Sequence, residues 1–230
     1  EGKYPKQLWY LFFVEMWERF CFYGMRGVLT IFMVDQLFLK EDHANLQYGA
    51  IQAFVYAFTF IGGIFADKIL GFKKSLFFGA IVMILGNLLI AIAPHDLFYY
   101  GIAFSIIGTG FFKPNVSSMV GELYKEDDGR RDAGYGMFYA GINVGGLLGG
   151  ALCVYLGKYY SWQLCFLSAA VVMFLGLITF LFTKKYLGPI GDSPLLDLDA
   201  GKRKMREFAV YGLSLLSIPL IYIMVKNTDY

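Results

Sequence analysis

Seven long apolar runs separated by short polar turns decide what this chain can fold into. They occupy residues 8–34, 46–66, 75–93, 97–123, 133–156, 161–183 and 207–225. A helix crossing lipid needs about 20 mostly apolar residues, because the hydrocarbon is about 30 Å thick and each residue rises about 1.5 Å. The runs have that length and are apolar on nearly every face, whereas helices around a soluble core keep a polar side. Hydrophobic residues make up 57% of the 230 residues, above the half or so of a soluble domain. Lipid absorbs that excess, so the pattern predicts an all-α polytopic membrane protein and excludes a large soluble core.

The connections predict the orientation. Cytoplasmic loops collect Lys and Arg. One side holds Lys3 and Lys6, then Lys68, Lys73 and Lys74, then Lys125, Arg130 and Arg131, then Lys184, Lys185, Lys202, Arg203, Lys204 and Arg206. The other side holds Lys40, Lys158 and Lys226, while Arg19, Arg26 and Lys113 lie inside runs. The amino terminus is therefore expected in the cytoplasm. The opening residues lead into a run carrying Glu15, Glu18 and Arg19, unlike the short apolar core of a cleaved signal peptide, so the first run is expected to be retained. The stretch 188–201, with Pro189, Pro194 and three aspartates, reads as a linker. The expected division is a six-helix unit over 1–187, a cytoplasmic linker over 188–206 and an additional helix over 207–230. The whole reads as a piece of a protein about twice as long. Cys21, Cys153 and Cys165 sit in apolar runs, where a thiol packs as a small hydrophobe, and no redox role follows.

A charge at the bilayer centre costs about 2.5 to 3.5 kcal/mol on insertion scales, so buried charges face a bundle interior and mark pathways. The first run carries Glu15, Glu18, Arg19 and Arg26. With Glu15 at zero and about 100° per residue, Glu18 falls near 300°, Arg19 near 40°, Tyr23 near 80° and Arg26 near 20°, so they share a face. Glu15 and Arg19 form an i,i+4 acid-then-base pair, and Glu18 offers the same guanidinium a second carboxylate. A purely structural ion-pair network is one reading. Together with Lys113, however, these charges sum to +1 when all are ionised, which leaves a cationic site unpaired. Such a site suits a carboxylate, held by Arg as a fork and by Lys as a point charge. Protonating either glutamate frees Arg19 and makes the pocket more positive, which couples proton entry to anion binding.

Lys113 lies in Gly108-Thr-Gly110-Phe-Phe-Lys113-Pro114-Asn115, whose glycines and proline are expected to weaken the fourth helix at membrane depth, as in the broken helices of transporters. The spacing is not that of a phosphate-binding loop. In the fifth run Gly141, Gly145 and Gly149 recur every fourth residue, as do Gly146 and Gly150, a pattern for close helix crossing. Tyr139 and Asn143 place a hydroxyl and an amide on one stripe, where lipid would demand a partner or a wet cavity. Tyr56 in the second run is a weaker case among 17 tyrosines. His43 and His95 read as outer-loop residues, and no metal site is expected.

Two motifs carry a family resemblance. Gly63-Ile-Phe-Ala-Asp67-Lys68-Ile-Leu-Gly71-Phe-Lys73-Lys74 resembles the signature loop of the major facilitator superfamily. Glu15-Met-Trp-Glu18-Arg19-Phe20-Cys-Phe-Tyr23-Gly24 resembles the ExxERFxYYG motif of the proton-dependent oligopeptide transporters, with Phe22 replacing one aromatic. The segments around Lys113 and over Phe138-Tyr139-Ala-Gly-Ile-Asn143 are similar to that family's fourth and fifth spans. The resemblance runs from about residue 8 to 185. It implies the amino-terminal six-helix bundle of the superfamily fold, two inverted three-helix repeats, plus one further helix. It also implies import of di- and tripeptides across the inner membrane, driven by protons, by alternating access between two bundles. Matching positions imply Glu15, Glu18 and Arg19 in proton coupling. They imply Arg26 and Lys113 near the peptide carboxylate, Tyr23, Tyr56, Tyr139 and Asn143 lining the peptide site, and Gly63, Asp67, Lys68, Gly71, Lys73 and Lys74 in the conformational loop. The expected partners are peptides, protons, membrane lipid and a carboxy-terminal bundle, with neither a cofactor nor a nucleic acid. The basic linker and the lack of an acid inside 207–225 favour an inserted helix between bundles over a seventh helix. Rival readings are transport of another small anion such as nitrate, which tends to go with loss of the two glutamates, and a non-transporting scaffold or sensor. A hydrolase is disfavoured because no span pairs a nucleophile with a base.

Overall fold

The computed structural model describes residues 6–122, 129–187, 192–194 and 199–227. Within them every regular element is helical: α1 (Lys6–Gln36), α2 (Glu41–Phe65), a π-helical turn (Ala66–Leu70), α3 (Phe72–Ile92), α4 (Phe98–Glu122), α5 (Arg130–Tyr159), α6 (Trp162–Leu187), α7 (Ala200–Leu216) and α8 (Ile218–Lys226). Five segments are long and apolar enough to cross a membrane: Glu41–Leu70, Phe72–Ile92, Arg130–Tyr159, Trp162–Lys185 and Ala200–Lys226. α1 and α4 have the length without the apolarity. Their packing resolves the shortfall. α1 lies against α5 and α6, α4 lies against α3 and α2, and α3 joins the two groups through α6. Most of α4 between Phe98 and Gly121 is buried, so its polar and small residues Ser105, Thr109, Asn115, Gly108 and Gly110 meet protein instead of lipid.

Small residues set those close approaches, since lipid tails give helices little hydrophobic reason to associate. An ideal Cβ on Gly145 would fall 2.3 Å from the Met16 carbonyl oxygen, and one on Gly149 2.2 Å from that of Phe20. The predicted five-residue glycine pattern thus divides. Gly141, Gly145 and Gly149 meet α1 with no room for a side chain, Gly146 packs against the α1 ring of Tyr23, and only Gly150 has open space where its own Cβ would point. The expected weakening of α4 is not what the glycines do either. α4 runs unbroken through Pro114. Gly108 packs on Gly79 and Met83 of α3, and Gly110 on Phe58 of α2. Pro114 has no N–H to give the Gly110 carbonyl, and Gly62 of α2 closes on that oxygen so tightly that a Cβ there would lie 2.2 Å away.

α7 and α8 form one span, restarting after Ser217 with Pro219 in the first turn of α8. The helix begins at Ala200, so Lys202, Arg203, Lys204 and Arg206 belong to it and not to a linker reaching 206. Hydropathy registers only its apolar part. Most of the remaining linker, 188–191 and 195–198, lies outside the described residues, as do residues 1–5, 123–128 and 228–230. The span docks along the bundle. The Tyr211 ring lies 4.7 Å from Phe78, and Tyr222 stacks on Tyr100 at 4.3 Å. At the far end Gln47 accepts a hydrogen bond from Tyr99 at 2.7 Å and donates to the Lys226 carbonyl at 3.3 Å. His43, read as a loop residue, stands in the first turn of α2 with its Nε2 3.2 Å from the Gln47 amide nitrogen.

Candidate functional site

The face of α1 computed from helical periodicity is the buried one: Glu15 and Arg19 are 2% exposed and Glu18 not at all. Arg19 donates through Nε and Nη2 to the two oxygens of Glu18, a fork-to-fork pair between adjacent residues. Glu15 holds Arg19 more loosely, with Oε1 3.5 Å from Nε. Its other oxygen, Oε2, is buried with no hydrogen-bond partner. The guanidinium is roofed by rings, 4.4 Å from the centre of Phe22 and 5.4 Å from that of Tyr23. One cation is therefore shared unequally by two acids. Cation–π contact keeps its planar face dry while its edge makes the hydrogen bonds.

The other two intramembrane cations are held differently. Arg26, half-buried, donates from Nε to the Tyr48 hydroxyl of α2 and lies 5.6 Å from the Tyr23 ring centre. Lys113 of α4, also half-buried, has its ammonium 5.5 Å from the Tyr56 ring centre. Among the described residues neither has a carboxylate within ion-pair distance. Aromatic rings partner these cations where an acid would normally stand. Among the described residues the arrangement leaves the positive charge of Arg26 and Lys113 uncancelled by an acid.

The remaining candidates differ in their exposure and in whether they reach the charged cluster. Tyr23 touches both arginines and sits against Gly146 of α5. Tyr56 is 68% exposed and Tyr139 is 57% exposed, too open for packing positions. Asn143 is exposed one turn before Gly146. Tyr139 and Asn143 make no contact with the charged cluster among the described residues. Tyr48 was missed by sequence reasoning. Its signal was its place at i, i+4 and i+8 with Gln52 and Tyr56 along α2, hidden among the many tyrosines.

The loop-motif residues are distributed over three elements. Gly63 is inside α2, Asp67 and Lys68 are in the π turn, and Lys73 and Lys74 open α3. Gly71 joins them with φ 78° and ψ 162°, a region open to glycine and strained for any other residue.

The POT family model matches residues 73–194. Uncharacterized transporter YclF of Bacillus subtilis (strain 168) is 41% identical over 197 residues, which cover 83% of this chain and 40% of that protein. Dipeptide and tripeptide permease A of Proteus mirabilis (strain HI4320) is 31% identical over 247 residues, covering 98% of this chain and 51% of that one. A crystal structure of peptide transporter POT in complex with sulfate superposes with a TM-score of 0.82 at 36% identity, covering 99% of this chain and 48% of that chain. The chain thus spans about half the length, or less, of the curated relatives it matches. A family match over more than half of the residues, joined to a fold shared with a solved transporter, makes this chain an integral membrane protein of the POT family.

Proposed function

We propose that this chain is the amino-terminal bundle of a proton-coupled symporter that imports di- and tripeptides across the cytoplasmic (inner) membrane by alternating access, with its amino terminus in the cytoplasm. The observation that carries the reading is the pair of half-buried cations, Arg26 and Lys113, left without acids beside an arginine that has two. A peptide carboxylate supplies what they lack. Tyr23, Tyr48 and Tyr56 orient the two cations, and Tyr139 and Asn143 offer a hydroxyl and an amide from the opposite helix. The relatives named dipeptide and tripeptide permease, and solved neighbours bound to sulfate and to alafosfalin, support an anionic, peptide-like substrate. A second bundle facing the open sides of α2 and α5 completes the site.

Glu15 is the natural proton acceptor of the cluster, because its Oε2 has no hydrogen bond to lose. Protonation there removes one of two negative charges from Arg19 and raises the positive potential felt by an incoming carboxylate. Glu18 then keeps the guanidinium fixed through its two bonds. A peptide that binds more tightly to the protonated site draws protons inward with it, by the reciprocity of linked binding. The deciding experiment is uptake of labelled dialanine into proteoliposomes. Glu15→Gln, which fixes the acceptor in a neutral form, is expected to abolish uptake driven by a pH gradient while counterflow exchange survives better. Uptake unaffected by that change overturns the coupling role, and failure of unlabelled dialanine to compete with the labelled substrate overturns the peptide reading.

A further inference from the structure

Three polar contacts tie the signature segment between α2 and α3 to the chain that follows α6. Lys73 Nζ donates to Asp192 Oδ1 at 3.0 Å, Lys74 Nζ to Glu207 Oε1 at 2.6 Å, and Ser193 Oγ to the Ile69 carbonyl at 2.6 Å. Three of the contributors are well buried, Ser193 at 6%, Glu207 at 7% and Lys73 at 8% exposure. The Glu207 carboxylate has therefore given up most of its water and depends on Lys74 to compensate it.

The segment needs outside support for a local reason. It leaves α2 through a five-residue π turn, Ala66–Leu70, and reverses at Gly71, so carbonyls at the end of the turn lack the donors that a continuing helix would supply. Ser193 supplies one to Ile69. One turn further along, Phe78 and Tyr211 pack at 4.7 Å, so Lys74 and Phe78 on α3 match Glu207 and Tyr211 on α7 at the same i,i+4 spacing. At the other end of the span, Tyr222 on Tyr100 and the Gln47 bond to the Lys226 carbonyl fasten it again. The span is held to the bundle at both ends and moves with it.

We infer that Asp192, Ser193 and Glu207 are positioning residues that clasp the signature segment and hold it in the shape in which it meets the second bundle during alternating access. The inference rests on the transport reading above. None of the three belongs to the substrate or proton groups, so the clasp acts on turnover and not on peptide affinity. It also stays shut through the cycle, since both sides of it belong to one rigid unit.

The test uses the intact transporter in proteoliposomes. Glu207→Lys and Lys74→Glu each lower the maximal rate of dialanine uptake about tenfold, with KM within about twofold of wild type, and the double reversal recovers about half of the rate or more. Wild-type rates in the single variants, or no recovery in the double, overturn the clasp. Should either reversal fail to give monodisperse protein, Lys74→Cys with Glu207→Cys replaces it, because Cys21, Cys153 and Cys165 are all buried. Oxidation of that pair leaves uptake intact if the clasp stays shut, and a loss of uptake restored by reductant overturns it. Maleimide labelling of Lys68→Cys reads the segment without transport: faster in Glu207→Lys, wild-type again in the double reversal. Absence of dialanine uptake by the wild type counts against the transport reading alone. The clasp then stands or falls on the labelling rates.

Discussion

Replacing Arg26 by alanine removes the group that, on the proposed reading, receives one end of the substrate. A hydrogen bond to a charged group contributes about 1.5 to 3 kcal/mol net. Arg26 is half-buried, and its Nε is already committed to Tyr48, so the lower part of that range applies. A loss of about 1.4 kcal/mol is a factor of ten in affinity. Arg26→Ala is therefore expected to raise the Kd of dialanine about tenfold, and Arg26→Lys, which keeps the charge and loses the fork, about threefold. The measurement is isothermal titration of the purified intact transporter with dialanine and, in parallel, with dialaninamide, which has no carboxylate. Wild type should prefer dialanine, and Arg26→Ala should bring the two affinities together. An equal loss for both ligands refutes the clamp, because the side chain would then be supporting the site and not reading the carboxylate.

The crossing of α1 and α5 and the turn at Gly71 each carry a prediction. Gly149→Ala drives a methyl into the Phe20 carbonyl, 2.2 Å from its ideal position, and a backbone oxygen cannot rotate away. The cost is about 1 to 3 kcal/mol, seen as a lower Tm in detergent, whereas Gly150→Ala, with open space beside it, stays within about 0.5 kcal/mol of wild type. Equal Tm values for the two variants would show that α1 and α5 do not cross as closely as described. Gly71→Ala places a side chain at φ 78°, costing about 1 to 3 kcal/mol of strain. It should speed maleimide labelling of Lys68→Cys, and an unchanged labelling rate would mean that the turn relaxes at no cost.

How much of this was legible in the sequence depends on the range of the interaction. The charged face of α1 was computed correctly from periodicity because one helix decides it: Glu15, Glu18 and Arg19 are four residues or fewer apart. The glycines of α5 were legible as a packing signal. Which of them meet α1 was not, since Gly149 and Gly150 differ only in the direction that each faces. α4 was misread for the same reason. Gly108, Gly110 and Pro114 are helix-weakening residues when considered alone, yet Gly79 and Phe58, far away in sequence, approach two of them so closely that a side chain would not fit. Tyr48 and Glu207 escaped notice because their partners, Arg26 and Lys74, lie 22 and 133 positions away. Hydropathy misses α7's first turns on related grounds: it credits apolar content, and four of residues 200–206 are Lys or Arg.

The same logic explains why α1 and α4, the two long helices without a stretch apolar enough to cross lipid, hold the intramembrane charges Glu15, Glu18, Arg19, Arg26 and Lys113. A polar residue at membrane depth survives only where neighbouring helices exclude lipid and supply partners. α2, α3, α5 and α6 pay that cost by turning their apolar sides outward. What α1 and α4 then hold is, among the described residues, an unequal set: one arginine with two acids, and an arginine and a lysine with none. Had the bundle been built for stability alone, the acids would be distributed so that each cation had one, because leaving a half-buried cation beside an aromatic ring forgoes the stronger ion pair. The deficit is maintained at an energetic cost, and on the proposed reading the peptide carboxylate is the anion that fills it.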